Sequence, residues 1–314
     1  MKRIAITGIS GYIGTGLAHR LESIDAVELI VGIDQHLPQI SCPSKLRFYQ
    51  LDVCQPFVGI FVDNNVDTAI HLAFILMPKH DRDTAQRVNV GGTLNFLHAC
   101  QTQAVKQILY LSTHTVYGAH PDNPIPLKED SPPRPMPGFQ YSWDKAQTER
   151  IFLDFAASNP DICVTILRTC VVMGPNADNA ITKSLFKPAM ICISGYDPPM
   201  QFVHEDDLAE LILTFLERKQ PGVFNVAGEE MVRYRQLATL CGKRLIPLPA
   251  GPLNFVMSLS WKLHLQKESP AAGLDFIKYP VVMSTEKLKR EVGFRFRYSS
   301  QEAVASFISA IRPS

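Results

Sequence analysis

The 314-residue chain has almost no net charge: 31 Lys and Arg stand against 30 Asp and Glu, a formal excess of +1. Without a basic surplus nothing pulls it, independently of sequence, toward phosphate backbones or acidic bilayers, so neither nucleic acid nor a membrane is expected as a partner. Long apolar runs are missing as well. A bilayer span takes about 20 apolar residues, and the longest candidate, Leu253 to Leu263, is already interrupted by Lys262. The seven Cys (42, 54, 100, 163, 170, 192, 241) are odd in number and contain no C-x-x-C pair. They read as buried free thiols of a reducing compartment, with no disulfide framework. The nine His show no ligand spacing, so no metal is expected. Met1-Lys2-Arg3 followed by Ile4-Ala5-Ile6 imitates a signal peptide, yet glycines follow too soon for its apolar segment; a buried first strand and a cytoplasmic protein are expected.

What the chain does have is 46% hydrophobic residues in an ordered alternation. Short Ile/Val/Leu-rich runs at Arg3–Thr7, Val27–Asp34, Leu46–Val53, Thr68–Ala73, Gln107–Ser112 and Cys163–Val172 read as strands buried on both faces. Helical patterns at Tyr12–Ser23, Thr84–Gln103 and Tyr141–Ser158 lie between them. Strand and helix in repetition predict an α/β fold, a doubly wound parallel sheet of the Rossmann type with a smaller C-terminal lobe. Residues 121–137 contain seven of the 23 prolines, a density no helix or central strand survives, so they form a surface loop, either a plain connector or the border of a site. Leu253–Leu265 is apolar at helical spacing and reads as core packing, with a lid over an apolar pocket as the alternative. Basic residues on it are too few for a membrane-surface helix.

The first strand runs into Gly8-Ile9-Ser10-Gly11-Tyr12-Ile13-Gly14, which opens a helix. Such glycines allow a tight turn, let the backbone approach a pyrophosphate, and permit close helix–strand packing, while the helix N-terminus offers N–H groups to the phosphates. Asp34 ends the second strand 20 residues after Gly14 and would accept from an adenosine ribose. Its carboxylate repels a 2′-phosphate and no Arg or Lys follows within Gln35–Ser44, so NAD is favoured over NADP. Asp52, with Val53 beside it, closes the third strand and is placed toward the adenine. Residues 1–174 plus 202–228 thus read as the NAD-binding domain, and 175–201 plus 229–314 as the substrate lobe.

Tyr141 and Lys145 fall one turn apart on the predicted helix. A phenol with a reference pKa near 10 is a poor base at neutral pH. A nearby ammonium and a positively charged nicotinamide would favour the phenolate, letting Tyr141 exchange a proton with a substrate hydroxyl as hydride moves. Ser112-Thr113 closes the fifth strand, at the sheet edge where open α/β folds bind ligands.

With these residues in place, the chain resembles the extended short-chain dehydrogenases/reductases, the NAD-dependent epimerase/dehydratase family. The resemblance runs in order over nearly the whole length, through His71-Leu72-Ala73-Phe74, Asn89, Val116-Tyr117-Gly118, Leu167-Arg168, Met173-Gly174-Pro175, Phe202-Val203-His204-Glu205-Asp206-Asp207 and Phe224-Asn225-Val226. It implies that Thr113 hydrogen-bonds the reacting oxygen, that Tyr141 is the acid/base, and that Lys145 holds the nicotinamide ribose and tunes Tyr141. It further implies that Tyr12 and Ile13 offer backbone N–H groups to the pyrophosphate, that Leu72, Ala73 and Phe74 line the cofactor groove, and that the protein is a homodimer. His71 and Asn89 are read equally as site residues or as strand-end and helix-kink positions.

Two departures concern the substrate. Val171 stands where relatives acting on nucleotide sugars commonly have Asn, and Met200-Gln201 replaces an Arg-Asp pair after a short Pro175–Phe202 stretch. Both remove natural partners for a second diphosphate and a base. A nucleotide sugar is one substrate; a smaller non-nucleotide alcohol handled by a simple dehydrogenase is another. A non-catalytic NAD-binding regulator is the third reading.

Overall fold

The structure, a computed structural model, describes residues 2–40, 43–76, 80–266 and 270–311, so Cys42 lies outside the described residues. The first half runs β1 (Lys2–Thr7), α1 (Tyr12–Glu22), β2 (Val27–Asp34), β3 (Leu46–Gln50), α2 (Val58–Asp63), β4 (Thr68–His71), α3 (Arg82–Gln86), α4 (Gly92–Thr102), β5 (Gln107–Thr113), α5 (Gln140–Ser158) and β6 (Cys163–Thr169). The second half follows with β7 (Val171–Met173), α6 (Ala180–Leu185), β8 (Ala189–Ile193), β9 (Pro199–Met200), β10 (Phe202–His204), α7 (Glu205–Arg218), β11 (Gly222–Val226), β12 (Val232–Arg233), α8 (Tyr234–Leu240), β13 (Arg244–Leu248), α9 (Ala250–Lys262), α10 (Glu286–Val292) and α11 (Ser300–Ile311), with a 3-10 segment at Ala271–Ile277.

Seven strands form one sheet in the order β11-β6-β5-β4-β1-β2-β3. β1 pairs in parallel with β2 on one side and β4 on the other, so the chain reverses its winding direction at β1. The crevice beyond the carboxyl ends of those strands is where this topology receives ligands. Every residue of β4 and β5 is buried, which explains their unbroken apolar character, whereas edge strand β3 is half-exposed. By internal contacts the chain divides into two compact units: residues 1–112, 144–167 and 209–223, and residues 113–143, 168–208 and 224–314.

Several predicted elements end earlier or break. β3 stops at Gln50, leaving Asp52 beyond its end, and β4 stops at His71, so Leu72, Ala73 and Phe74 form the following loop. The apolar run to Val172 is two strands: Cys170 separates them, its N–H bonding to Val226 O at 2.9 Å. The helix expected over Thr84–Gln103 is interrupted by a π-helical turn at Arg87–Gly91. The extra residue in that turn directs Asn89 inward, as such bulges do at functional positions. Of the six described cysteines, all free, four are buried and Cys54 and Cys163 are half-buried.

The core reading of 253–265 is overturned. α9 covers Ala250–Lys262, but on it only Leu253 is buried, and the apolar residues at 255, 256, 259 and 263 stand in solvent. Hydrophobic periodicity reports a stripe; it does not report which way the stripe faces.

The second unit is held by buried polar groups whose partners are distant in sequence. Asp207, fully buried, accepts from Arg297 N and Tyr298 N at 3.0 Å each and from Arg297 Nε at 3.2 Å. Tyr117 Oη donates to Asn225 Oδ1 at 2.7 Å and accepts from Arg168 Nη1 at 2.7 Å, and Arg168 also reaches Glu129 O at 3.0 Å. This network ties the proline-rich loop to the strands, which accounts for three of the motif residues without any contact to a ligand. Asp207→Ala leaves two backbone donors unpaired, and a loss of roughly 2–4 kcal/mol of unfolding free energy is expected in urea denaturation, against less than about 0.5 for the exposed Leu259→Ala.

Candidate active site

In the first unit the site is built on the glycine turn. Gly8 sits at φ +75°, and a Cβ there would lie 2.5 Å from Ala73 N, so only glycine lets the turn close on the Leu72–Ala73 backbone. A Cβ on Gly14 would lie 2.5 Å from Gly8 O and 2.7 Å from Ile9 Cα, which makes it the helix–strand packing glycine. At the N-cap of α1, Gly11 supplies no side-chain acceptor, and the first turn contains no acid. The positive end of the helix, with Tyr12 and Ile13 in its first turn, can therefore receive an anion. Asp34 is pinned by Ser10 N and His36 N, both at 3.0 Å, which fixes its carboxylate beside the turn. These features fit a dinucleotide: a helix N-terminus without a capping side chain or an acid in its first turn for the phosphates, and a fixed acid 20 residues on for the ribose. Asp52 accepts from Cys54 N at 2.9 Å, a bond that lowers its pKa, while Val53 is buried against Gly92.

The loop after β4 is fastened by the π turn. Asn89 Oδ1 accepts from Ile75 N at 2.7 Å, and its Nδ2 donates to Asp144 Oδ2 at 2.9 Å and Ile75 O at 3.3 Å. Asn89 thus positions Phe74 and the start of α5. His71 is locked between Thr7 Oγ1 at 2.7 Å and Thr93 Oγ1 at 3.0 Å, stacked on Phe96, and burial holds its pKa down to about 3. It is a neutral structural group in the sheet.

Lys145 is buried, with Nζ donating to Leu111 O at 2.7 Å and lying 3.9 Å over the Phe74 ring. Burial brings its pKa down to about 7, with Glu149 opposing. Glu149 also accepts from Ser112 Oγ at 2.9 Å.

In the second unit, Thr113 closes β5 and its side chain acts on the buried Tyr141 phenol. Burial pushes Tyr141 up to about 12, and Thr113 works against that rise. Without added positive charge Tyr141 is a neutral phenol. Sequence reasoning passes over three neighbours. His114 Nδ1 donates to Thr169 O at 3.2 Å and lies 3.5 Å from Thr113 Oγ1, its pKa held at about 4 by burial. Phe139 is 6.1 Å from Tyr141 by ring centroid and 5.4 Å from Phe276, which also meets His114 at 6.4 Å. Phe139 and His114 adjoin the motifs and were open to notice; Phe276 lies far away in sequence and carries no local signal.

A sequence model described as the NAD dependent epimerase/dehydratase family matches residues 4–227. The chain belongs to that family. It is an enzyme of the extended short-chain dehydrogenase/reductase type, whose cofactor is NAD. Among its relatives, an uncharacterised protein of Mycobacterium tuberculosis is 26% identical over 312 residues, covering 96% of this chain and 82% of its own. The short-chain dehydrogenase/reductase family 42E member 1 of Macaca fascicularis is 28% identical over 236 residues, 66% of this chain and 56% of its own. In fold the chain is similar to the UDP-glucose 4-epimerase of Thermotoga maritima with UDP-glucose, at TM-score 0.78 and 19% identity over 98% of both chains. It is also similar to the dTDP-glucose 4,6-dehydratase of Bacillus anthracis in complex with NAD, at TM-score 0.75 and 16% identity over 99% of this chain and 96% of that one. No described helix is long and apolar enough to cross a membrane.

The epimerase/dehydratase fold leaves a thermodynamic signature at Lys145. Its folded pKa of about 7 lies below the ordinary 10.5, so below pH 7 both folded and unfolded chains carry the proton and burial of the charge costs on the order of 4 kcal/mol. Between pH 7 and 10.5 the folded chain has lost a proton that the unfolded chain keeps, so stability rises with pH and the cost disappears. Lys145→Met is therefore expected to gain most over wild type near pH 6, the gain shrinking steadily toward pH 10 in urea denaturation. A pH-independent difference would contradict the buried-ammonium account.

Proposed function

We propose that this enzyme transfers hydride between NAD and a secondary alcohol or ketone carbon, in the epimerase/dehydratase manner, with Tyr141 as acid/base. The observation that carries this reading is Lys145, buried one turn beyond Tyr141 on α5 with Nζ donating to Leu111 O at 2.7 Å, two residues before Thr113. Bound NAD supplies the hydride acceptor and a positively charged ring. The chain's own part begins with the glycine turn: Gly8, Gly11, Tyr12, Ile13 and Gly14 hold the pyrophosphate, and Asp34 holds the adenosine ribose. Asp52 and Val53 border the adenine, and Leu72, Ala73 and Phe74 line the groove. Lys145, one helical turn beyond Tyr141 on α5, holds the nicotinamide ribose. Thr113 fixes the reacting oxygen against Tyr141 Oη. With a phenol near 12, donation to a ketone oxygen is the ready direction, and acceptance of a hydroxyl proton requires positive charge close by.

A second reading, oxidation of a smaller non-nucleotide alcohol, has a specific observation behind it. Both amide atoms of Gln201 are committed to the Met283 backbone, Nε2 to O at 3.1 Å and Oε1 from N at 2.7 Å. The residue that replaces the acid of the usual pair is thus spent on structure. Stoichiometric NADH accumulation with substrate selects this reading over an epimerase, in which the hydride returns. For either, Tyr141→Phe is expected to keep NAD affinity within about two-fold and lower turnover by roughly 100-fold or more. Full activity in that variant overturns the mechanism.

A further inference from the structure

His114 stands beside the reacting edge and takes no part in the acid/base step. It opens the 3-10 turn His114–Tyr117 directly after Thr113, and it is half-buried. Phe276 meets its ring edge-on at 6.4 Å. Phe276 also meets Phe139, which packs on Tyr141, so the imidazole shares a wall with the phenol.

The bonds of His114 fix where its hydrogen is. Nδ1 lies 3.2 Å from Thr169 O, and a carbonyl oxygen only accepts, so Nδ1 carries the hydrogen. Burial holds the pKa at about 4, so at neutral pH the ring has a single N–H and Nε2 presents a lone pair. Among the described residues Nε2 has no hydrogen-bond partner, and it is not one of the polar atoms sealed from solvent. Thr113 is polarised the other way. Its Oγ1 accepts from Thr115 N at 3.3 Å and faces the Nδ1 hydrogen at 3.5 Å, so neither neighbour can take its hydroxyl proton. That hydroxyl is left to donate toward the reacting side. A donor and an acceptor thus stand together, separated by no more than the Nδ1 contact and the width of an imidazole.

We propose that His114 selects the substrate: Nε2 accepts from a hydroxyl on the carbon next to the reacting one, while Thr113 donates to the reacting oxygen. The substrate class is then a vicinal diol or its α-hydroxyketone, a pattern that a sugar ring offers and a simple secondary alcohol lacks. A carboxylate on that carbon is disfavoured, since it sets lone pair against lone pair. The inference rests on the proposed hydride transfer with Thr113 at the reacting oxygen, and it names the chemistry of what is bound there. Once substrate has displaced water, an analogue without the hydroxyl leaves Nε2 unpaired, which is what makes such a site selective.

The test offers the NAD-loaded enzyme two pairs of probes, UDP-glucose with its 3-deoxy analogue and vicinal cyclohexanediol with cyclohexanol, and follows conversion by chromatography and NADH absorbance. Wild type is expected to favour the hydroxylated member of at least one pair by about 100-fold or more in kcat/KM. His114→Asn keeps a donor for Thr169 O and removes the acceptor, so that preference should collapse to within roughly three-fold. His114→Gln, whose carbonyl can stand at the Nε2 position, should restore most of it. A wild type that makes no such distinction, or converts neither pair, overturns the proposal. So does an equal loss on both members of a pair in His114→Asn, which marks a structural role, and so does nitrogen NMR of the NAD-bound protein placing the His114 hydrogen on Nε2. Failure of the acid/base reading is distinguishable: a fully active Tyr141→Phe that keeps the preference removes the role of Tyr141 and leaves that of His114 supported.

Discussion

The approach of Gly8 to the Leu72–Ala73 backbone is the constraint on which the cofactor half depends. At φ +75°, with Ala73 N where a Cβ would sit, the turn after β1 and the loop after β4 share a space that no side chain can enter. That contact exists because β1 and β4 are parallel neighbours at the point where the sheet changes winding direction. Around it lie the N-terminus of α1, Asp34 held by Ser10, and Phe74 under Lys145.

Burial without solvent is the second organising influence. It neutralises His71 and His114, lowers Lys145 and raises Tyr141, so each of these four groups is biased toward its uncharged form. Charge introduced by a bound ligand therefore acts strongly there, because little dielectric screening opposes it. Away from the chemistry the same low polarity makes Asp207 and the Tyr117–Arg168–Asn225 network effective structural ties, each satisfied by several partners.

Much of this was legible in the chain. Parallel strands buried on both faces show as unbroken apolar runs, which located β1, β2, β4 and β5. The glycine spacing and Asp34 mark a turn whose geometry is local, and local geometry is what short-range sequence encodes. The motif residues Arg168, Asn225 and Asp207 were visible as motif members, but their meaning was not, since their partners lie in distant segments. The π turn at Asn89 was legible only as a kink, because the bonds that stabilise it run to Ile75 and Asp144.

By itself, then, the sequence determined the order of strands and helices, the cofactor turn, and the pairing of Tyr141 with Lys145 on one helix. Each follows from spacing along the chain. Only the tertiary structure decided where side chains point: that Asp52 bonds its own turn, that Phe139 packs on Tyr141 and Phe276 on Phe139, and that the apolar face of α9 looks outward. Periodicity defines a face, but its direction is set by the elements packed behind it, and those come from elsewhere in the chain.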